Sequence, residues 1–290
     1  MRKWIFPGII IVSLFSCMNQ ETDGKRVITT SIPPFKYFVE AIAGDGFEVN
    51  VIVPPGASPA TFEPTPSVIR ALGKSDMLIL DGYLGYELAW AGQLKEINPG
   101  IKTLVLAESQ VLIYGEEHQH GDQQHYSGVD PHFWVSPVAA QKMASAILKF
   151  LNETWPGESE QFTANYSVVE NEIRETGLYL DSLLSGLEQR SFMIFHPALT
   201  YLARDYNLEQ VAVETEGKEP SPLGLKEFID HGRSENIGVI FVQREFDKKN
   251  ALTIASEIGA KVVEIDPLSE NWPETVRSLG RALREGLLKN

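Results

Sequence analysis

The chain has 290 residues, too many for one small core and enough for one large domain or two lobes of ordinary size. Hydrophobic residues make up 43% and charged residues 22%, the composition of a folded globular protein rather than a disordered one. The net charge of -14 argues against a nucleic-acid partner, because phosphate contacts need clustered Lys and Arg, and it favours cations near the surface.

At the N-terminus Arg2 and Lys3 precede an apolar run from Trp4 to Phe15. Such a run is too short to cross a hydrocarbon core of ~30 Å as a helix and reads as an export signal. It ends in Leu14, Phe15, Ser16 and Cys17, which resembles a bacterial lipobox. Cys17 is the only cysteine and has no internal partner, so lipidation gives the lone thiol a role. The expected order is a lipoprotein-type signal peptide at 1–17, lipidated at Cys17, then a polar tether at 18–26. That arrangement puts the mature chain outside the cytoplasm, held to a membrane by its lipid.

Beyond the tether, apolar runs rich in β-branched residues at 27–32, 47–53, 76–80 and 102–106 predict strands. Segments 35–43, 66–74 and 86–97 between them predict helices. A second cycle predicts strands at 192–195, 210–213, 239–242 and 261–265, with helices at 200–206, 223–235 and 248–258. This alternation predicts an α/β fold of two lobes, each a mostly parallel sheet flanked by helices. Residues 158–189 contain no proline and only two glycines, and Phe162, Tyr166, Val169, Ile173, Leu180 and Leu184 recur mostly at helical spacing. They predict a long helix within 156–190 joining an N-terminal lobe at 27–155 to a C-terminal lobe at 191–290. A break at Gly177 into two shorter helices is the alternative.

Six histidines are unevenly placed. His118, His120 and His125 share the polar, Gly-flanked stretch 115–128 with three acidic residues, a composition that points to metal. His231 falls in a surface helix. His132 follows in Asp-Pro-His-Phe-Trp at 130–134. His196 comes directly after a predicted strand, as does Asp266 in the other predicted strand–Pro junction. Open parallel sheets bind ligands beyond the carboxyl ends of their strands, and imidazole with carboxylate suits a divalent metal. Spacing alone leaves other roles open, a hydrogen-bonded structural His and a turn-forming Asp before Pro.

Five ordered words now carry a resemblance. They are Val-Pro-Pro-Gly-Ala-Ser-Pro within 52–66, Asp-Pro-His-Phe-Trp at 130–134, Phe-His-Pro-Ala at 195–198, Glu-Gly-Lys-Glu-Pro-Ser at 216–221 and Ile-Asp-Pro-Leu at 265–268. Together they resemble the substrate-binding proteins of zinc and manganese ABC importers, the zinc-uptake and treponemal metal-receptor type. The resemblance implies two lobes bridged by one helix, with a divalent metal in the cleft, zinc before manganese. It implies a monomeric receptor that delivers this cargo to a permease and its ATPase, and no catalysis. Its ligand positions map onto His132, His196 and Asp266. The first position is usually Pro-His but here reads Pro59-Ala60, and a methyl group cannot bind metal. Water, Glu63 or a histidine of the 115–128 stretch could stand in, or affinity could be lower. A zinc hydrolase is the rival class, but the chain has no His-Glu-x-x-His word and no Gly-x-Ser-x-Gly turn. A surface protein that merely sequesters metal is the third.

Overall fold

The protein is described here by a computed structural model covering residues 25–115, 117–120, 123–126, 128–214 and 220–288, with the backbone alone at 117–120 and 123–126. The expected signal, Cys17, most of the tether and the side chains of His118, His120 and His125 lie outside the described residues.

The first lobe runs β1 (Arg26–Thr30), α1 (Pro33–Ala43), β2 (Phe47–Val51), α2 (Pro66–Leu72), β3 (Met77–Leu80), α3 (Gly85–Ile97) and β4 (Lys102–Val105). Its four strands are parallel in the order β2-β1-β3-β4. Next come β5 (Ile113–Tyr114), β6 (Glu117–His120), β7 (Gln123–Tyr126) and β8 (Val129–Asp130). β5 pairs antiparallel with β8, and β6 with β7, so two short ladders form in and around the polar stretch 115–128. After them come α4 (Pro137–Thr154) and α5 (Ser159–Leu184).

The second lobe repeats the scheme with β9 (Ser191–Ile194), α6 (Thr200–Asp205), β10 (Glu209–Ala212), α7 (Pro222–Ser234), β11 (Val239–Gln243), α8 (Lys249–Ile258), β12 (Lys261–Ile265) and α9 (Trp272–Leu287). Its parallel order is β10-β9-β11-β12. In each sheet the chain steps outward from the first strand and then crosses back over it. The switch points therefore lie between β1 and β3, and between β9 and β11, where open α/β sheets take ligands.

Local chemistry sets several boundaries. Thr65, Ser136 and Ser221 each precede a proline and accept a hydrogen bond from a backbone N–H three residues on, at 3.5, 3.1 and 3.2 Å. A hydroxyl cap followed by Pro at the first helical position satisfies one free donor and presets φ for the turn. These caps start α2, α4 and α7.

The expected two-lobe α/β fold with a joining helix is the one observed. α5 is a single helix of 26 residues, ~39 Å long at ~1.5 Å per residue, and runs through Gly177 without a break. It buries Phe162, Val169, Ile173, Thr176, Leu180 and Leu184. The α5 spine packs on α1 and α4 of the first lobe and on α9 of the second. At the α9 seam a Cβ on Gly280 would stand 3.1 Å from Leu180, so the glycine lets the helices approach closely. The helices α4 and α9 were not anticipated. One contiguous apolar core takes in residues of both lobes, from Ile28 and Phe35 through Leu180 to Val276 and Leu283. Nonpolar burial is the main favourable term in folding, so the lobes share their stabilisation. Among the described residues no helix is long and apolar enough to cross a membrane.

One glycine positions the proline-rich loop. The Tyr86 N–H donates to the Pro59 carbonyl at 3.1 Å, and a Cβ on Gly85 would fall 2.4 Å from the Ala60 oxygen. Only a residue without a side chain lets the loop lie against the start of α3. Gly85→Ala should therefore push residues 58–60 away and destabilise the protein by about 1–3 kcal/mol, as overpacking does. A urea midpoint equal to that of the unaltered protein would contradict this.

Candidate metal centre

His132 and His196 come from opposite lobes and meet. Their Nε2 atoms are 3.2 Å apart. His132 follows β8 in a tight turn, in which Asp130 Oδ1 accepts the His132 backbone N–H at 2.8 Å and faces its Nδ1 at 2.9 Å. His196 lies two residues past β9. Its Nδ1 faces Glu214 Oε2 at 3.0 Å, and its ring stacks on Phe246 at 5.0 Å between centroids. Gln243, at the end of β11, donates from Nε2 to the His196 carbonyl at 2.6 Å and so ties the imidazole's backbone to the neighbouring strand.

These carboxylates fix the tautomers. A neutral imidazole has one N–H, and with Nδ1–H donated to Asp130 or Glu214 each Nε2 is left as a lone pair. Two lone pairs aimed at one another at 3.2 Å repel unless a proton or a cation lies between them. Two nitrogens each ~2.0–2.1 Å from a tetrahedral zinc-sized ion stand ~3.3 Å apart, so the pair has the spacing of two adjacent ligands. The carboxylate behind each ring is the partner that orients a metal-binding His and raises its basicity.

Tryptophans hold the lobes together beside this pair. Trp134 Nε1 donates to the Pro267 carbonyl at 2.9 Å, and Trp272 Nε1 donates to the Trp134 carbonyl at 2.6 Å. The Tyr201 hydroxyl donates to the Asp130 carbonyl at 2.9 Å and accepts from the Ile113 N–H at 3.0 Å, which fixes the His132 turn from the second lobe.

Both imidazoles line a cavity of 150 Å³ together with Ala60, Trp134, Glu245 and Phe246. The other expected residues stand elsewhere. Asp266 Oδ2 accepts from Arg244 Nη1 at 2.8 Å, its Oδ1 accepts the Leu268 N–H at 3.2 Å, and it lines a separate crevice with Asn271 and Thr275. Glu63 is exposed on the proline-rich loop and does not line the cavity. Among the described residues no third His, Cys, Asp or Glu stands near enough to the imidazoles to complete a ligand set as they lie.

The family profile described as zinc-uptake complex component A, periplasmic, matches residues 28–286. The chain belongs to this family. Zinc-binding lipoprotein AdcA of Streptococcus pneumoniae is 28% identical over 284 residues, which are 94% of this chain and 56% of that protein. The chain thus spans little more than half the length of that relative. The high-affinity zinc uptake system protein ZnuA of Bacillus subtilis is 28% identical over 289 residues, 92% of this chain and 89% of its own. A solved ZnuA structure superposes with a TM-score of 0.84 at 35% identity, covering 91% of this chain and all of that one. The expected resemblance is therefore to the right family.

The geometry also shows what sequence reasoning left out. Asp130 and Glu214 were not singled out as the groups behind the imidazoles. Glu245 was missed too, although it lies just past a strand of the second sheet, the same signal that marked His196. Burial raises the Glu245 carboxyl above its ordinary value, and the Asp266 charge adds to this. Its Oε1 is buried without a hydrogen-bond partner among the described residues.

Burial is also the largest influence on His196 and pushes its pKa below the ordinary 6.5, with the neighbouring His132 adding to this and Glu214 opposing it. A folded-state value below the unfolded one means that the unfolded chain binds more protons between the two. The His196 contribution to stability is thus complete above about pH 6.5 and declines as pH falls toward the depressed value. The metal-free protein should melt at a lower temperature at about pH 5.5 than at about pH 7.5, and His196→Gln should shrink that difference. An equal pH dependence in the two proteins would contradict the reading.

Proposed function

We propose that this chain is the extracytoplasmic solute-binding component of an ABC metal importer, which captures zinc between its lobes and delivers it to the permease. The observation that carries this reading is the His132–His196 pair, two carboxylate-backed imidazoles from different lobes with Nε2 atoms 3.2 Å apart. Neutral imidazole favours zinc over manganese, which prefers oxygen-rich sites. Relatives named for zinc binding and zinc uptake support the same cargo. Asp266 remains a proposed ligand that would have to exchange its Arg244 partner for metal, and Glu63 a proposed auxiliary one. Attachment through a lipidated Cys17, a monomeric state, and partnership with a permease and its ATPase complete the proposal.

Protein purified without chelator should carry or take up one tightly bound zinc per chain and bind manganese at least tenfold more weakly. His132→Ala should lower zinc affinity by two orders of magnitude or more, about 2.7 kcal/mol. Competition calorimetry that finds a preference for manganese, or an unaltered affinity in His132→Ala, would overturn the assignment. The histidines at 118, 120 and 125 are proposed to gather zinc weakly for this site. Deleting 116–126 should remove any further weak equivalents from the titration and leave the tight one, and loss of the tight one would instead make a histidine of that stretch a ligand.

A further inference from the structure

We propose that Asp81 is a neutral carboxylic acid, and that the proton it keeps holds the first-lobe wall of the cavity in place. Asp81 stands at the switch point of the first sheet, between β1 and β3. Ser31 directly follows β1 and Asp81 directly follows β3. Glu87, in the first turn of α3, reaches back to both strand ends. Asp81 is completely buried and Glu87 is only 4% exposed, so two acids share one dry nest.

Their hydrogen bonds decide which acid carries the charge. Glu87 Oε1 accepts from the Ser31 hydroxyl and from the Asp81 N–H at 2.9 Å, and its Oε2 accepts from the Gly82 N–H at 2.6 Å. Several donors aimed at one carboxyl favour its ionised form. Asp81 is poorly provided by comparison. Its Oδ1 accepts the Tyr83 N–H at 3.0 Å, and its Oδ2 is buried with no partner among the described residues. An ionised oxygen left there would bear the full cost of a buried, unpaired charge, which protonation removes. Two like charges this close do not both ionise readily, and the single proton of the pair goes to the acid with fewer donors.

The other elements around the nest agree. Burial pushes the Asp81 carboxyl well above its ordinary 3.8, and the negative charges of Glu87 on α3 and Asp130 at the end of β8 add to this, against the Tyr83 N–H. Tyr86 of α3 and Tyr201 of α6 also feel the Asp81 charge, but burial keeps both phenols neutral and pushes Tyr201 up to about 12. What depends on the proton is the start of α3. Glu87 pins that turn to the end of β3, the neighbouring Tyr86 N–H holds the Pro59 carbonyl at 3.1 Å, and Ala60 rests against Gly85. Pro59, Ala60, Leu84 and Gly85 all line the cavity. Loss of the Asp81 proton would set two negative charges against each other beneath this wall and drive the start of α3, with the Pro59–Ala60 segment on it, away from the strand ends.

Nuclear magnetic resonance of the metal-free protein with isotope-labelled aspartate reads the proton directly. One Asp carboxyl resonance should keep its protonated position at about pH 7 and vanish from the spectrum of Asp81→Asn. As that resonance titrates on raising the pH, hydrogen exchange of the Tyr86 amide, corrected for its intrinsic rise, should speed up at least about tenfold. In Asp81→Asn the corrected rate should stay within a factor of about three over the same range. Stability gives a second readout. The unfolded chain loses this proton near 3.8 and the folded chain keeps it, so the Asp81 contribution falls as pH rises from there toward the raised value. Asp81→Asn cannot ionise, so it should melt at least as high as the unaltered protein at about pH 7.5. This slope opposes that of His196, so the fall on acidification assigned to His196 should be deeper in Asp81→Asn. Absence of a protonated Asp at about pH 7 would overturn the proposal, as would a protonated resonance that survives in Asp81→Asn or Tyr86 exchange that stays level while the resonance titrates. The first and last of these need only the unaltered protein, and all are read without metal, apart from the zinc assignment.

Discussion

Two indole-to-carbonyl hydrogen bonds govern the interlobe geometry. Trp272 donates to the Trp134 carbonyl and Trp134 donates to the Pro267 carbonyl, both from buried rings. The first reaches into the turn that carries His132, and the second ends on the residue after Asp266. Without them His132 would still be oriented by Asp130, but among these hydrogen bonds only the Tyr201 hydroxyl would tie its turn to the other lobe. Buried polar groups that all find partners act as a register, since any other alignment leaves a donor or acceptor unsatisfied. The apolar core shared along α5 provides the bulk of the stabilisation, and the indoles decide which alignment it stabilises.

The electrostatics follow from the same alignment. Each imidazole is backed by a carboxylate, so each presents a lone pair rather than a proton to the cavity. Burial reinforces this at His196 by disfavouring the imidazolium. At Asp130 burial alone would raise the carboxyl, but its contacts with His132 outweigh this and hold the group below its ordinary value. A site with this wiring is organised before any cation arrives. A cation held by the same nitrogens would be released as acid supplies protons to them.

Much of this could be read in the sequence, and the reasons are local. Alternation of β-branched runs with amphipathic segments marks the parallel sheets, and the absence of proline across 158–189 marks the long helix. His196 was visible because it follows closely on a strand that is buried along its whole length. Asp266 satisfied the same rule, yet its carboxylate turns back to the Leu268 N–H, as an Asp before Pro commonly does. Glu245 was hidden by its neighbours, because Arg244, Asp247, Lys248 and Lys249 make the loop read as solvated. What separates Glu245 from those charges is direction, and direction is set by the Arg244–Asp266 pair and the Phe246 stack, both tertiary contacts. The indole bonds span more than 130 positions and left no local trace, and α9, which they help to seat, was missed with them.

The unbroken α5 bears on how the molecule can move. Proteins that close on a ligand like a hinged shell turn about short, compliant connections between their halves. Here the connection is a rod of 26 residues that is itself part of the core of both halves, with its seam to α9 tightened at Gly280. Swinging the lobes apart would mean unpacking that rod rather than bending a strap. Traffic into and out of the cavity is thereby left to its walls, the Pro59–Ala60 segment on one side and the Glu245–Phe246 turn on the other. A docked membrane partner would then need to grip those two loops rather than pry the lobes open.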